Sequence, residues 1–190
     1  MKISIIIPVF NEEGSLRELY LQITDSIKVY KEYEIVFIDD GSSDESKIII
    51  QKMIEEDNKV KLISFFRNFG KSAALSEGFK YASGDVIVTM DADLQDDPNE
   101  IPALIDKLSE GYDLVSGWKK KRYDPWTKTL PSKIFNFVTR LLTGVKIHDF
   151  NCGLKAYRNS VVKSIEVFGG RHRYIPALAG QKNFSVAEIV

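Results

Sequence analysis

The strongest constraint on the fold is an alternation of short apolar runs with amphipathic stretches of helical length. The apolar runs, which predict buried strands, are Ile3–Val9, Glu34–Asp39, Val60–Phe65 and Val86–Met90. The stretches with apolar residues at helical spacing are Ser15–Val29, Asp44–Glu56 and Lys71–Ala82. Because strands separated by helices of this length form crossover units, the pattern predicts an α/β fold with a mostly parallel sheet flanked by helices. A chain of 190 residues suits a single domain of this kind.

The second half of the chain predicts further elements. Pro98 before Asn99–Ser109 and Gly111 after it are typical of a helix at this position. The segment Lys119–Lys133 has no clear period and predicts a loop. The remaining predicted elements are a strand at Leu114–Val115, a helix at Ile134–Leu142, a strand near Gly153–Tyr157, helices after Asn159 and around Tyr174–Ala179, and a closing strand at Phe184–Val190.

The overall composition excludes several classes of protein. A formal net charge of −1 gives no global field that would recruit nucleic acid. The single cysteine, Cys152, cannot form an internal disulfide, and with only two histidines beside it a zinc site is not expected. No apolar run approaches the roughly 18 residues of a membrane-spanning helix. Because the closing strand stops without a turn, we expect residues 1–190 to be a piece of a longer protein.

Acidic residues collect where three of the predicted strands end. The first strand leads into Pro8–Glu12, the second into Asp39–Asp44 and the fourth into Asp91–Asp97. In an open parallel sheet, ligands bind at the carboxyl ends of the strands. The topology therefore predicts that these segments form one acidic cleft.

The most specific element of this cleft is Asp91-Ala92-Asp93, with two carboxylates directly after an apolar strand. Carboxylates that approach one side of a cation suit Mg²⁺ or Mn²⁺, which take further ligands from substrate phosphates and water. Five acids and no base lie between Asp91 and Glu100, so a diphosphate would be repelled unless a metal intervened. The alternative is a solvated loop in which Asp97 caps the following helix.

Two further segments predict contacts in the cleft. Asp39 and Asp40 form either a tight turn or a ligand site, since acids at the end of a buried strand need partners that a ribose or a base edge would supply. The predicted helix start at Gly70, with Lys71 beside it, suits a nucleotide. The alternative is that Asn68 or Gly70 caps the helix and Lys71 is solvated. Phe65 stands where a complete phosphate-binding loop needs glycine, so that motif is excluded.

The segment Lys119–Lys133 is locally basic and aromatic. It holds six cations against Asp124 alone, with Tyr123 and Trp126 between them. Such a loop suits anionic headgroups or a phosphate acceptor, with Trp126 at a membrane interface. A solvated surface loop is the alternative, and nothing else in the sequence supports nucleic acid as a partner.

In their order along the chain, these motifs resemble those of family 2 inverting glycosyltransferases. They are Pro8-Val9-Phe10-Asn11-Glu12, Asp39-Asp40-Gly41-Ser42-Ser43-Asp44, Asn68-Phe69-Gly70-Lys71 and Asp91-Ala92-Asp93-Leu94-Gln95. Three later motifs resemble the polyprenyl-phosphate branch, which comprises dolichol-phosphate mannose synthases and bacterial undecaprenyl-phosphate glycosyltransferases. They are Ser132-Lys133-Ile134-Phe135-Asn136, Cys152-Gly153-Leu154-Lys155-Ala156-Tyr157-Arg158 and His172-Arg173-Tyr174-Ile175-Pro176-Ala177-Leu178.

The resemblance implies a GT-A fold for residues 1–190, a nucleotide-sugar donor with UDP favoured over GDP, and Mg²⁺ or Mn²⁺ on its diphosphate. The residues implied in nucleotide binding are Pro8, Phe10, Glu12, Asp40, Lys71, Asp91 and Ala92. Asp91 and Asp93 are the implied metal ligands, with Asp93 the more direct, and Gln95 is implied at the transfer centre. The residues implied at the acceptor phosphate are Arg122, Ser132 and Arg173.

The acceptor separates the function that we favour from its alternatives. A lipid monophosphate has a second pKa of about 6, so it needs cations and alignment rather than a general base. A glycan hydroxyl in cell-envelope polysaccharide synthesis would need a base, for which Asp149 is the candidate; otherwise Asp149 orients basic groups or caps a turn. A nucleotidyltransferase-like domain would bind a nucleoside triphosphate, but no glycine-rich basic loop follows the first strand. A non-catalytic domain would bind nucleotide without turnover.

Family resemblance also predicts where the full-length protein acts. Similar proteins continue beyond the closing strand into a basic segment and often membrane helices. We therefore expect a membrane-anchored protein whose catalytic domain lies at the cytoplasmic face of the membrane. The sequence does not define an oligomeric state and leaves a homo-oligomer open.

Overall fold

A computed structural model describes residues 1–118, 136 and 138–189. Its strands are β1 Lys2–Val9, β2 Glu32–Asp39, β3 Val60–Ser64, β4 Val86–Thr89, β5 Leu114–Gly117, β6 Lys155–Arg158 and β7 Val186–Ile189. They form one seven-stranded sheet in the order β3-β2-β1-β4-β6-β5-β7. β6 is antiparallel to β4 and β5, and the other paired strands are parallel. The predicted single α/β domain with a mostly parallel sheet is confirmed.

The helices lie where the sequence predicts them. They are α1 Leu16–Ser26, α2 Ser46–Glu56, α3 Lys71–Tyr81, α4 Ile101–Ser109, α5 Asn159–Ser164 and α6 Ile175–Gln181. Short 3₁₀ turns cover Pro98–Glu100 and Arg171–Tyr174, and residues 138–143 are also helical. The predicted loop at Lys119–Lys133 lies outside the described residues.

Alternation along β1 places its side chains in two cores, one on each face of the sheet. Ile5 and Ile7 pack in the core formed with α1, α2 and α4. Ile6 packs in the opposite core, formed with α3, α5 and α6. All three side chains are fully buried. A strand covered on both faces is a continuous apolar run, which explains the sequence of β1.

Strand register brings the ends of the central strands together. Val9 at the end of β1 pairs with Asp39 at the end of β2, and Ile6 of β1 pairs with Thr89 at the end of β4. The segments that follow these three strands therefore leave the sheet at one edge. Within the described part of the chain, no helix combines the length and the apolar character needed to cross a bilayer.

Gly78 allows α3 to lie close to the sheet, and its replacement tests this packing. A Cβ added there would overlap Cγ2 of Ile6 and lie 3.0 Å from Cδ1 of Ile38. We expect Gly78→Val to lower the free energy of unfolding by about 1–3 kcal/mol, because a close-packed core does not absorb added methyl groups. Urea denaturation measures the change. Gly14→Val is the control, since a Cβ there meets nothing within 4 Å; equal losses in both variants would contradict the prediction.

Candidate active site

A cleft of about 310 Å³ lies where the carboxyl ends of β1, β2 and β4 converge. Its lining residues are Pro8, Val9, Phe10, Glu12, Asp40, Asn68, Gly70, Lys71, Asp91 and Asp93. The structure thus brings together every residue implied in nucleotide binding except Ala92. The Ala92 side chain is buried in the core, so only its backbone is left to contact a ligand.

The wall of the cleft after β1 is fixed by the loop after β2. The backbone N–H of Asn11 donates to Ser42 Oγ at 3.0 Å, and the N–H of Ser43 donates to Asn11 Oδ1 at 2.8 Å. The N–H of Glu12 donates to Ser46 Oγ at 2.9 Å. Phe10 directly precedes this hydrogen-bonded segment and lines the cleft. Its ring is 45% exposed, so it does not pack in the core and is available to contact an aromatic base.

Asp39 finds its partners within the protein. Its carboxylate accepts hydrogen bonds from the N–H of Ser42 at 2.9 Å and from Ser64 Oγ at 3.0 Å. The side chain is buried and satisfied as one member of a turn. The expectation that a ribose or base edge must supply partners for this acid is therefore wrong.

Asp40 fixes the loop between β3 and α3. Its carboxylate accepts the backbone N–H groups of Phe69 at 2.7 Å and Gly70 at 2.8 Å. The loop lies so close that a Cβ added at Gly41, where φ is +74°, would be 2.7 Å from Arg67 Cα. Asp40 thus needs no ligand for its own satisfaction, and the expectation that it does is also wrong. It still lines the cleft.

The acids after β4 lie at the floor of the cleft in two different environments. Asp91, about a third exposed, forms an ion pair with Lys71 at the first residue of α3, and its N–H donates to Asp96 at 3.2 Å. Asp93 is exposed, and its carboxylate accepts the N–H of Gln95 at 3.1 Å. Asp93 is accordingly the more accessible ligand of the two.

The donor set fits a hard divalent cation that the substrate helps to bind. Among the residues that the structure describes, no cluster of three or more His, Cys, Asp or Glu side chains is arranged to hold a metal alone. Asp91 and Asp93 supply two carboxylates in one cleft. Mg²⁺ and related ions are commonly bound by one or two carboxylates plus substrate phosphates and water, and this pair is compatible with such an ion.

Lys155 is a buried cation beneath the site that the sequence analysis did not identify. It lies on β6 opposite Thr89, is 4% exposed, and donates a hydrogen bond to the carbonyl oxygen of Cys152. Burial lowers its pKa, while the negative charges of Asp149 and Asp91 act in the opposite direction. The available signal was a lysine in the middle of a predicted strand that should be apolar.

His172 and Ser72 join the chain's last third to the cleft. Ser72 Oγ lies 2.9 Å from His172 Nδ1, and the N–H of His172 donates to the same oxygen at 3.2 Å. Burial, together with the positive charge of Lys71, lowers the pKa of His172 to about 4. The ring is therefore neutral at neutral pH. The sequence offers little reason to place His172 at the cleft, because a single histidine has many structural roles.

The other predicted residues lie around the cleft or outside the described chain. Gln95 lines a second cavity, of about 280 Å³, together with Trp118 and Cys152. Arg173 is exposed in the 3₁₀ turn beside His172. Arg122 and Ser132, predicted at the acceptor phosphate, lie outside the described residues.

Asp149 does not line the donor cleft as the structure has it. Its side chain is 2% exposed, and its carboxylate accepts the N–H of Asn151 at 3.0 Å. Of the roles left open by the sequence, the contacts support capping of a turn. The catalytic role stays a prediction.

Solved structures with the same architecture include glycosyltransferases. Glucosyl-3-phosphoglycerate synthase from Mycobacterium tuberculosis superimposes with a TM-score of 0.72, at 22% identity, over 98% of this chain and 69% of that one. A mannosyltransferase from Pyrobaculum calidifontis, solved with GDP-Man and Mn²⁺, gives a TM-score of 0.71 at 19% identity, over 98% of this chain and 54% of that one. The fold is the GT-A fold of nucleotide-sugar glycosyltransferases.

Within that class, the chain belongs to Glycosyl transferase family 2, whose sequence profile matches residues 4–166. The predicted enzyme class, glycosyltransferase, is thus confirmed. Family membership also favours this class over the nucleotidyltransferase-like alternative.

Two curated relatives are similar along almost the whole chain. Both are undecaprenyl-phosphate 4-deoxy-4-formamido-L-arabinose transferases. The one from Pseudomonas aeruginosa is 40% identical over 180 residues, covering 93% of this chain and 53% of that protein. The one from Shewanella sediminis is 44% identical over 191 residues, covering 98% and 57%. The chain spans about half the length of these relatives.

The neutral state of His172 predicts a pH dependence of stability. An unfolded histidine titrates near pH 6.5, whereas the folded His172 resists protonation until about pH 4. Between these values the unfolded chain binds more protons, so stability falls as the pH is lowered from about 6.5 to 4. We expect His172→Gln to flatten this part of the curve, measured by urea unfolding without nucleotide. The difference between the two proteins in free energy of unfolding at pH 7 serves as the baseline. If their free energies of unfolding change with pH in parallel, the assignment is contradicted.

Proposed function

We propose that this domain transfers a sugar from a nucleotide-sugar, with UDP as the favoured carrier, to a polyprenyl phosphate of the undecaprenyl or dolichyl type. The observation that carries the proposal is the 40–44% identity to undecaprenyl-phosphate transferases over nearly the whole chain. The reaction would invert the anomeric carbon and would take place at the cytoplasmic face of a membrane.

The donor nucleoside would bind against the wall formed after β1. Phe10 offers an exposed ring for the base, and Pro8 and Glu12 line the cleft beside it. Asp40 would act through the loop that it holds, since its carboxylate is occupied by two backbone N–H groups. The position of Lys71 at the first residue of an eleven-residue helix favours the donor diphosphate there.

Asp93 would hold a divalent cation directly, with Asp91 beside it. When bound, such a cation neutralises the charge that grows on the leaving diphosphate. Solved structures of the Mycobacterium tuberculosis synthase contain Mn²⁺ with UDP, which supports a cation of this type, Mg²⁺ or Mn²⁺. The ion pair of Lys71 with Asp91 is present in the cleft without a bound donor. An incoming diphosphate would compete for Lys71 and leave the Asp91 carboxylate available for a second partner.

A phosphate acceptor agrees with the position of Asp149. A hydroxyl acceptor needs a base within hydrogen-bond reach of the attacking oxygen. Asp149 is buried, accepts a backbone N–H and does not line the donor cleft. A phosphate dianion attacks without a base and needs only cations to align it. Arg173, exposed in the turn beside His172, is the described candidate; Arg122 and Ser132 remain predictions.

Replacement of Asp93 tests the donor site. We expect UDP to bind in the presence of Mn²⁺ and the affinity to fall at least tenfold in Asp93→Asn, because a direct carboxylate ligand is lost. Isothermal calorimetry with UDP and GDP, each with and without Mn²⁺, measures this and identifies the base. Asp97→Asn is the matched control, since asparagine also caps a helix start. Equal metal-dependent binding in Asp93→Asn and the control would rule out the assignment.

A comparison of acceptors tests the reaction. We expect transfer from a UDP-sugar to undecaprenyl phosphate and none to undecaprenol. The rate should rise through about pH 6 and then level off, because the phosphate dianion is the nucleophile. The first donor to test carries 4-deoxy-4-formamido-L-arabinose, the sugar in the names of the curated relatives. Transfer to the alcohol at a comparable rate would favour the hydroxyl alternative and a base such as Asp149.

A further inference from the structure

An exposed cluster of phenylalanine and arginine side chains flanks the donor cleft and has no role in the proposed reaction. It consists of Phe66, Phe69 and Phe168 with Arg67 and Arg171, and we name it the Phe–Arg patch. The rings of Phe66, Phe69 and Phe168 are 85%, 46% and 52% exposed. Single exposed apolar side chains are ordinary, but a contiguous group of rings marks an interaction site.

The three rings belong to one surface rather than to separate loops. Phe66 and Phe69 meet edge to face with ring centres 5.1 Å apart. Both rings line a groove of about 590 Å³ whose opposite side is formed by Val167 and Phe168. The groove therefore joins the loop after β3 to the segment before the 3₁₀ turn Arg171–Tyr174. The hydrogen bonds between Ser72 and His172 hold these two parts of the chain together.

Each arginine of the patch lies against an aromatic ring. The Arg67 guanidinium is 4.8 Å from the ring centre of Phe69 and 5.6 Å from that of Phe66. The Arg171 guanidinium is 4.0 Å from the ring centre of Phe168. A stacked guanidinium keeps its N–H groups at the edge of its plane, where they can bind a phosphate in pairs.

The charge around the groove favours an anionic partner. Arg173 adds a third exposed cation next to Arg171. Glu77, which lines the groove, is paired with Lys80 at 2.6 Å. Glu166 is the acid nearest in sequence on the other side. The charged groups named here are thus three arginines and two carboxylates, and the carboxylate of Glu77 is already paired with Lys80.

We propose that the Phe–Arg patch docks on an anionic phospholipid surface, with the rings at the headgroup boundary and the arginines on lipid phosphates. Segments that lie in the membrane interface bury Trp, Phe or Leu at the boundary between headgroups and acyl chains and carry Lys or Arg on their polar side, and exposed cations add attraction to anionic lipids. This inference rests on the proposed function, because a lipid-phosphate acceptor requires the cleft to face a membrane.

The loop that carries the patch also forms part of the donor cleft. Asn68 and Gly70 line the cleft, while Phe66 and Phe69 of the same loop lie in the patch. Contact of the rings with lipid would therefore bring the mouth of the cleft to the membrane, where the acceptor phosphate lies. The rings orient the domain, and they do not touch the reacting atoms.

A second copy of the chain suits the patch less well. A stable interface buries about 800 Å² on each partner. A phenylalanine contributes roughly 150–250 Å² when fully covered, and two of these rings are already about half buried. A bilayer needs no complementary partner surface, and it accepts a protruding ring such as Phe66 directly.

Vesicle binding tests the proposal. The full chain is mixed with phosphatidylcholine vesicles, with or without 30% phosphatidylglycerol, and the bound fraction is measured by flotation. We expect Phe66→Ser combined with Phe168→Ser to lower the partition coefficient at least tenfold. The matched control is Leu21→Ser with Val29→Ser, which removes two exposed apolar side chains elsewhere on the surface. Equal binding by the two double variants, or no binding by the unchanged chain, would overturn the proposal.

The arginines are tested separately. We expect Arg67→Gln with Arg171→Gln to reduce the preference for phosphatidylglycerol at least fivefold, and Lys47→Gln with Lys52→Gln, both exposed on α2, to leave it nearly unchanged. An equal loss in the two pairs would mean that overall charge, not the patch, determines binding. If the chain self-associates without vesicles and only the phenylalanine variant abolishes this, while vesicle binding is unchanged, the surface serves a second copy instead.

Donor binding in the same variants distinguishes this inference from the proposed function. We expect Mn²⁺-dependent UDP binding to be unchanged in both patch variants, because none of the replaced side chains lines the donor cleft. If UDP binding is intact and vesicle binding is unchanged in the patch variants, the docking surface alone is refuted. Absent UDP binding in the unchanged chain, with vesicle binding that depends on the patch, would refute the proposed function and support the docking surface.

Discussion

The cleft at the carboxyl ends of the strands depends on the hydrogen bonds that the Asp40 carboxylate accepts. By accepting the N–H groups of Phe69 and Gly70, this carboxylate fixes the loop between β3 and α3. That loop sets the position of Lys71 at the start of α3 and hence the ion pair with Asp91. Its outer side carries Phe66 and Phe69. One acid, placed by the end of a buried strand, thus controls both the donor cleft and the neighbouring surface.

Much of this arrangement could be predicted from the sequence because its causes are local. Apolar runs flanked by helical periods define the parallel strands, and the topology then brings the segments that follow them together. The partners of Asp40 could not be predicted, because they come from a loop about thirty residues away whose shape depends on Gly41 and Gly70. The burial of Lys155 could not be predicted, because the sequence pattern does not show whether a lysine within a strand is buried or exposed. Its burial follows from β6 lying between β4 and β5.

Contacts within the protein define the shape of the donor cleft. The donor cleft is formed by backbone and side-chain contacts between loops that are each fixed by hydrogen bonds, so its shape exists before a ligand binds. The residues predicted at the acceptor come from separate parts of the chain, and only Arg173 lies within the described part.

The reversed direction of β6 has a consequence for how the two halves of the chain share this site. Because β6 runs against its neighbours, its beginning lies at the edge where β4 ends, and Gly153 lies against Asp91 and Asp96 there. Among the residues that the structure describes, those that line the donor cleft all precede position 94. The later half therefore joins the sheet of the earlier half through this reversed strand, while α5 and α6 pack against α3 on one face of the sheet. Exchange of the later half between relatives would therefore leave the sequence of these lining residues unchanged.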